Sequence, residues 1–409
     1  MKHIFLAALM ALLGLFPELN GQGDDKFTTI SGQLKDHQTQ EPLSFASIYL
    51  LGTTVGTTSN TEGEFVFHIP AGLPNDTLVI SLIGYNTLKK KLAEFSTAEV
   101  LLLEQSVVEL GEIVVTDEKQ LTAKQIVQKA YAALSQNYPK EPYILEGFVR
   151  DLQNEDDQYV EYMECAVKMR YQRYNLARRP DVELQAVRRS YIAEKHPWNK
   201  RQERKNAIVD IVEDEFIRYD YGPIRGKGGW KYEIESVLPF DDRFVYRIRA
   251  VDKPFQTAVL YIDTESFAFV RLELTRKAKG QRSWRRRLAS GQKQVYYNVV
   301  FEYQEYEGKM YLKYQKEEDS WEIYKNAESR KLLFTQYPKK ELFINRVITK
   351  DIDQYNFNAN LKIAKSVEEQ TPAFDPSFWQ YYNTPAQTKA LSKIETYLKE
   401  AQLEVKEKE

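Results

Sequence analysis

The sequence predicts a mainly β protein with flanking helices: an N-terminal β-sandwich, then an α+β domain built on a curved antiparallel sheet. Three observations carry this reading. Apolar residues recur with period two in many short segments separated by Gly, Asp and Asn. Aromatic residues make up 13% of the chain, 27 of them Tyr, which favours strands. Helical spacing, by contrast, stands out around residues 122–137 and 384–401. At 409 residues the chain is long enough for two domains, and 43% hydrophobic content supplies their cores.

The first element is a leader. Lys2 and His3 precede the apolar run Ile4–Phe16, and Asn20-Gly21-Gln22-Gly23 follows. That pattern predicts a secretory signal over residues 1–23, cut near Gly21 or Gly23. The apolar run is short for a membrane span, and no other stretch is apolar enough to cross as a helix. Cys165 is the sole cysteine, so neither a lipid anchor on an N-terminal Cys nor an internal disulfide is expected. An exported protein, periplasmic or outer-membrane associated, is the expectation.

The sandwich should cover residues 27–104. Phe65, Phe67 and Ile69 alternate with Val66 and His68, and Leu78, Ile80 and Leu82 alternate with Val79 and Ser81. The step Gly63-Glu64-Phe65 predicts a strand start with Phe65 buried between the sheets. A module of about 75 residues has a modest core and should lean on its neighbour. A linker is expected over 105–121.

Thr122-Ala123-Lys124-Gln125 predicts a capping box, and Ile126, Val127, Ala130, Tyr131 and Leu134 form one apolar face, ended by Asn137 and Pro139. The domain this helix opens should run over 122–362. Its strands include a hairpin of 258–262 with 267–274 and another of 295–303 with 310–314. Met163, Cys165, Val167, Met169 and Tyr171 share one face, so Cys165 reads as a buried structural thiol. A helical tail should occupy 363–409, with Thr384 as N-cap, Pro385 and Gln387 behind it, and a stripe of Ala390, Leu391, Ile394, Leu398 and Ala401.

The N-terminal motifs carry a resemblance. Gly32, Asp36, Glu41-Pro42-Leu43, Phe45-Ala46-Ser47-Ile48, Gly52, Gly56, Thr58 to Phe65 and Ser81-Leu82-Ile83-Gly84-Tyr85 occur in order. This run resembles the carboxypeptidase-like regulatory domain, a transthyretin-like β-sandwich also found ahead of TonB-dependent transporters. Leu110, Glu112, Ile113, Val114 and Val115 are similar to the segment that follows it there, but the remaining length holds no large barrel. The later motifs Asn137-Tyr138-Pro139, Phe148-Val149-Arg150-Asp151, Gly222-Pro223, Leu260-Tyr261-Ile262-Asp263, Gly308-Lys309-Met310-Tyr311-Leu312 and Phe378-Trp379-x-x-Tyr382-Asn383 extend the resemblance. They are similar to a Bacteroidetes family of exported proteins carrying this domain, with Val149 where Tyr is commoner. The family implies an envelope setting and does not bring an enzymatic activity with it. The hairpins are similar, over a short and degenerate stretch, to the half-barrels of periplasmic lipoprotein carriers.

The chemistry-bearing residues are sparse. A catalytic zinc needs three ligands, and beyond the leader the sequence offers His37, His68 and His196 without a His-Glu-x-x-His spacing. There is no Gly-x-Ser-x-Gly, and Gly226-Lys227-Gly228-Gly229-Trp230 lacks the Walker spacing. Asp156-Asp157 and Asp241-Asp242 sit where hairpin tips are expected. Neither cofactor nor metal is implied.

One charge feature remains. No acid occurs from Thr275 to Val300, whereas Arg276, Lys277, Lys279, Arg282, Arg285, Arg286, Arg287 and Lys293 surround Trp284. This reads as a basic hairpin loop, either merely solvated or in contact with an anionic surface. The expected partner is therefore an envelope protein or an anionic envelope component. Nucleic acid is not expected of an exported chain with net charge −2. The function read from sequence is a non-enzymatic envelope protein with a docking module and a curved-sheet binding domain. The alternatives are a carrier or sensor of a hydrophobic ligand, and a hydrolase whose site is assembled from distant residues.

Overall fold

Alternation sets the strands of the first sheet. β1 (Phe27–Asp36), β4 (Glu64–Pro70) and β7 (Glu99–Leu103) pair in the order β4-β1-β7, with β7 parallel to β1. The facing sheet joins β2 (Ser47–Leu50), β3 (Gly56–Thr58), β5 (Thr77–Ser81) and β6 (Leu88–Lys91) in the order β3-β2-β5-β6. Leu34, Phe65, Phe67 and Leu101 of the first sheet meet Ile48, Leu50, Leu78 and Ile80 of the second in one core. Phe65 is 1% exposed. Its ring lies on Gly32, where an added Cβ would stand 2.9 Å from Cε1. Gly63 makes the preceding turn at φ +72°, and a Cβ there would fall 2.4 Å from the Leu34 carbonyl oxygen, so glycine is required twice over.

This computed structural model describes residues 27–106, 121–192, 207–277 and 291–408, apart from positions 74, 97, 177, 214, 221, 254, 327, 330, 363, 366, 371, 373 and 374. The expected signal peptide lies outside the described residues, as does most of the expected linker.

In the second domain the predicted capping box is present at Thr122, which opens α1 (Ala123–Ala132), followed by α2 (Leu134–Asn137). An 11-stranded sheet then takes up β8 (Tyr143–Glu155), β9 (Gln158–Tyr171), β10 (Asp181–Tyr191), β11 (Lys231–Phe240), β12 (Arg243–Lys253), β13 (Gln256–Asp263), β14 (Phe269–Lys277), β15 (Gln292–Tyr306), β16 (Lys309–Tyr324), β17 (Leu332–Gln336) and β18 (Lys339–Ile348). Their order is β10-β9-β8-β18-β16-β15-β14-β13-β12-β11, with β17 beside the end of β16. The acid pairs 156–157 and 241–242 are hairpin tips, with positive φ at Asp156, Asp241 and Asp242.

Two helical side chains show that the sheet curls. On α4 (Phe216–Tyr219), which follows α3 (Ala207–Glu213), Arg218 lies over the ring of Tyr171 in β9. Its N-cap Glu215 accepts a 2.6 Å hydrogen bond from Tyr303 of β15. β9 and β15 are four strand spacings apart, about 19 Å in a flat sheet. Residues one helical turn apart reach both, so the sheet wraps around its helices. Cys165 lies in this concave core, fully buried, as its alternation requires.

The sandwich docks on the other side. Tyr49 donates a 2.8 Å hydrogen bond to Asp241, Lys89 pairs with Asp242, and Thr54 Oγ1 accepts from the Val347 amide at 2.8 Å. Phe45 stacks on Tyr314 with centroids 5.4 Å apart. The small module does lean on its neighbour.

The C-terminal segment ties the two domains together. Beyond the short helix α5 (Pro376–Gln380), Tyr382 donates to the Gly147 carbonyl at 2.7 Å, and Trp379 meets Phe148 edge-on. The Asn383 amide group then imitates a strand: it accepts from the His68 amide at 2.8 Å and donates to the His68 carbonyl at 2.9 Å. That satisfies backbone groups on the open edge of β4. Tyr381 stacks on Phe27 and meets His68, whose ring faces away from the core, as the alternation requires, and hydrogen-bonds Thr29. Burial pulls the His68 imidazole below its ordinary pKa.

One expected boundary moves. The last helix, α6, is Lys389–Lys408, and its start is capped by Thr388, which accepts from Leu391 N, rather than by Thr384. Asn383 and Ala386 are engaged with the sandwich, at His68 and Asn60, so the chain stays extended until that contact ends. Asn383→Ala is expected to cost ~1–3 kcal/mol, because two backbone groups lose their partners. Native-state hydrogen exchange should show faster exchange at the His68 amide. Unchanged protection there would count against the strand-like role of Asn383.

Candidate functional site

The basic run lies where β14 hands over to β15. Register pairs Lys277 with Tyr296 and Gln292 with Ile323, so the connection spans residues 278–291. Arg276 and Lys277 end β14, and both are exposed. The Arg276 guanidinium stands 5.6 Å from the Tyr297 ring centroid. Neither residue forms an ion pair among the described residues. Lys293 differs: it sits within β15, and its ammonium is 2.8 Å from Glu322 of β16. Lys279, Arg282, Trp284, Arg285, Arg286 and Arg287 lie outside the described residues.

The neighbouring strand brings a counter-charge that the sequence reading missed. Within Glu317-Glu318-Asp319 of β16, alternation sends Glu317 and Asp319 to one face and Glu318 to the other. Glu317 stands opposite Val299 on β15 and Lys340 on β18, and Lys340 stands opposite Asp151 on β8. Gln294 donates to Asp319 at 2.6 Å. Burial raises the Asp319 carboxyl above its ordinary range, against hydrogen bonds with Glu317 and Gln294 and the charge of Lys340. An acidic row thus borders the basic connection. The signal was available in the sequence: three consecutive acids inside a strand must divide between its faces.

The opposite face carries a second row of charge, also missed. Glu164 of β9 receives Arg150 of β8 at 2.9 Å and also pairs with Arg188 of β10. Glu341 of β18 stands opposite Arg150 and accepts from Tyr314 at 2.9 Å. Further along, Arg271 of β14 binds Glu302 and Glu273, each at 2.8 Å, and Arg247 of β12 pairs with Glu235 of β11. Paired acids and bases thus recur along this face from β10 to β11. Inside the curl, Glu215 and Arg218 are ringed by Tyr138, Tyr143, Tyr171 and Tyr303. The cavity there is about 10 Å3, room for a single water. Burial drives the Tyr138 and Tyr303 phenols well above their ordinary pKa. Among the described residues no group of three or more His, Cys, Asp or Glu is placed to hold a metal ion.

A family model described as the CarboxypepD_reg-like domain matches residues 30–115. Residues 30–115 are a CarboxypepD_reg-like domain. The match reaches past β7 to include Leu110, Glu112, Ile113, Val114 and Val115, which lie outside the described residues. Among curated proteins none matches the chain. Among solved structures, a LolA superfamily protein from Nitrosomonas europaea is 13% identical over 59% of this chain and 100% of its own, with a TM-score of 0.22. A putative outer membrane lipoprotein-sorting protein domain from Vibrio parahaemolyticus is 10% identical over 57% of this chain and 96% of its own, with a TM-score of 0.26. These scores are too low to equate the folds. The CarboxypepD_reg-like domain itself presents an open groove of about 430 Å3 between Thr28, Pro70, Asn75, Asp76 and Leu92. No helix among the described residues is long and apolar enough to cross a membrane.

Proposed function

We propose that this is a non-enzymatic, exported cell-envelope binding protein, periplasmic or outer-membrane associated, that attaches to an anionic envelope component through the basic β14–β15 connection. The observation that carries the reading is the state of Arg276 and Lys277. They are exposed and without ion pairs among the described residues, whereas Lys293, Arg271 and Arg247 nearby are paired. The CarboxypepD_reg-like domain serves in this reading as a docking module, held against the sheet through Tyr49, Thr54 and Phe45, with its own open groove. A carrier of a hydrophobic ligand is less well supported, since helices pack against the described concave face and its tyrosine-lined cavity admits one water.

Each Lys or Arg near an anionic surface contributes ~1 kcal/mol, and the attraction fades over ~8 Å at physiological salt. Flotation with anionic liposomes tests the reading. Wild type should float at low salt and be released at high salt, and changing Arg285, Arg286 and Arg287 together to Ala should abolish flotation. Equal, salt-insensitive flotation of both proteins would overturn it.

A further inference from the structure

At the other end of the sheet a second basic cluster is built into the fold. Arg170 near the end of β9, Arg173, Arg178 and Arg179 in the connection to β10, and Arg218 on α4 line one narrow cleft. Its one lining carboxylate, Asp181, is engaged by Arg170 Nη2 at 3.1 Å. The cleft floor is preorganised. The Arg218 side chain is 3% exposed, lies 4.1 Å from the Tyr171 ring centroid, and donates to the Arg178 carbonyl at 3.3 Å. Arg170 stacks on Phe357 at 4.8 Å, and its buried Nε–H has no partner. The rim differs: Arg173 and Arg178 are exposed and make no ion pair among the described residues. Arg170, Arg173, Arg178 and Arg218 thus share two carboxylates, Asp181 and Glu215, both already engaged.

We propose that this cleft binds a terminal phosphate group. Guanidinium forks match phosphate oxygens bidentately and stay charged at any physiological pH. The interior, about 10 Å3, is one water sphere in size and takes a single oxygen, leaving the others to the rim arginines. A phosphate has three terminal oxygens and reaches floor and rim at once; a carboxylate has two. Tyr171 pairs with Tyr143 at the start of β8, whereas the β14–β15 connection lies toward the end of β8, so this site is independent of the envelope contact proposed above.

Isothermal titration calorimetry on the whole chain tests the proposal, using inorganic phosphate, glycerol phosphate, acetate, and vesicles containing phosphatidic acid. Arg173→Ala/Arg178→Ala removes two exposed side chains with no packing role. Lys227→Ala/Lys231→Ala removes equal charge from exposed positions outside the cleft. The expected result is saturable phosphate binding, weakened about tenfold or more by the arginine pair and unchanged by the lysine pair. Affinity should rise from pH 5 to 7 as a phosphomonoester gains its second charge near ~6. Binding of the soluble phosphates marks a free ligand, and vesicle binding that the arginine pair weakens marks a lipid headgroup; both support the site, whereas vesicle binding alone that the arginine pair leaves unchanged belongs to the β14–β15 connection and overturns it. Failure of all phosphates to saturate, equal binding of acetate, or equal loss in the lysine pair would overturn it.

Discussion

Glu164→Ala is expected to cost ~3–5 kcal/mol. The carboxylate is 1% exposed and receives Arg150, Arg188 and the Tyr162 hydroxyl. Arg150 is itself buried, and a guanidinium cannot shed its charge. Removing the acid therefore strands a charge inside the protein, and that penalty exceeds the value of the lost bond. The same reasoning predicts a rescue: Glu164→Ala combined with Arg150→Met should be less destabilised than Glu164→Ala alone. Urea unfolding of the three variants reads this out. A wild-type midpoint for Glu164→Ala would show the charged row to be dispensable, and an additive double variant would show the two groups to be uncoupled.

Phe65→Ala is expected to cost ~3–5 kcal/mol. The ring fills the space between the two sheets of the CarboxypepD_reg-like domain and covers Gly32, which has no side chain to move into the gap. The surrounding strands are pinned by Gly63 and by the β4–β1 register, so the cavity cannot collapse. Loss should appear as a lower unfolding midpoint in the full chain. An unchanged midpoint would mean that the core does not rely on this ring.

The sandwich was legible because its signals are local. Period-two alternation at Phe65, Phe67 and Ile69, and glycines at Gly32 and Gly63, each act on neighbours a few residues away. The hairpins of the second domain were legible for the same reason, as was the capping box at Thr122. The charged rows were not. Arg150, Glu164 and Glu341 become neighbours only when β8, β9 and β18 are laid side by side, and nothing in the sequence fixes that order. Thr384 satisfied every local rule for a helix start, yet Asn383 and Ala386 bind the sandwich and hold the chain extended to Thr388. The basic run was legible as composition, but the pairing of Lys293 with Glu322 depended on strand register.

The Asn383 contact also bears on the order in which the chain can finish folding. Its two ends are 315 residues apart in sequence, so the sandwich is completed by a segment made long after it. Domains usually fold as they emerge, N-terminal first. Here β4 must wait with part of its outer backbone unpaired while the 11-stranded sheet, itself rich in distant contacts, is still being assembled. The interval is a window for wrong pairing with other chains. Asn383 thus acts as a timer as well as a fastening: the edge of β4 is sealed only once a segment 315 residues downstream arrives.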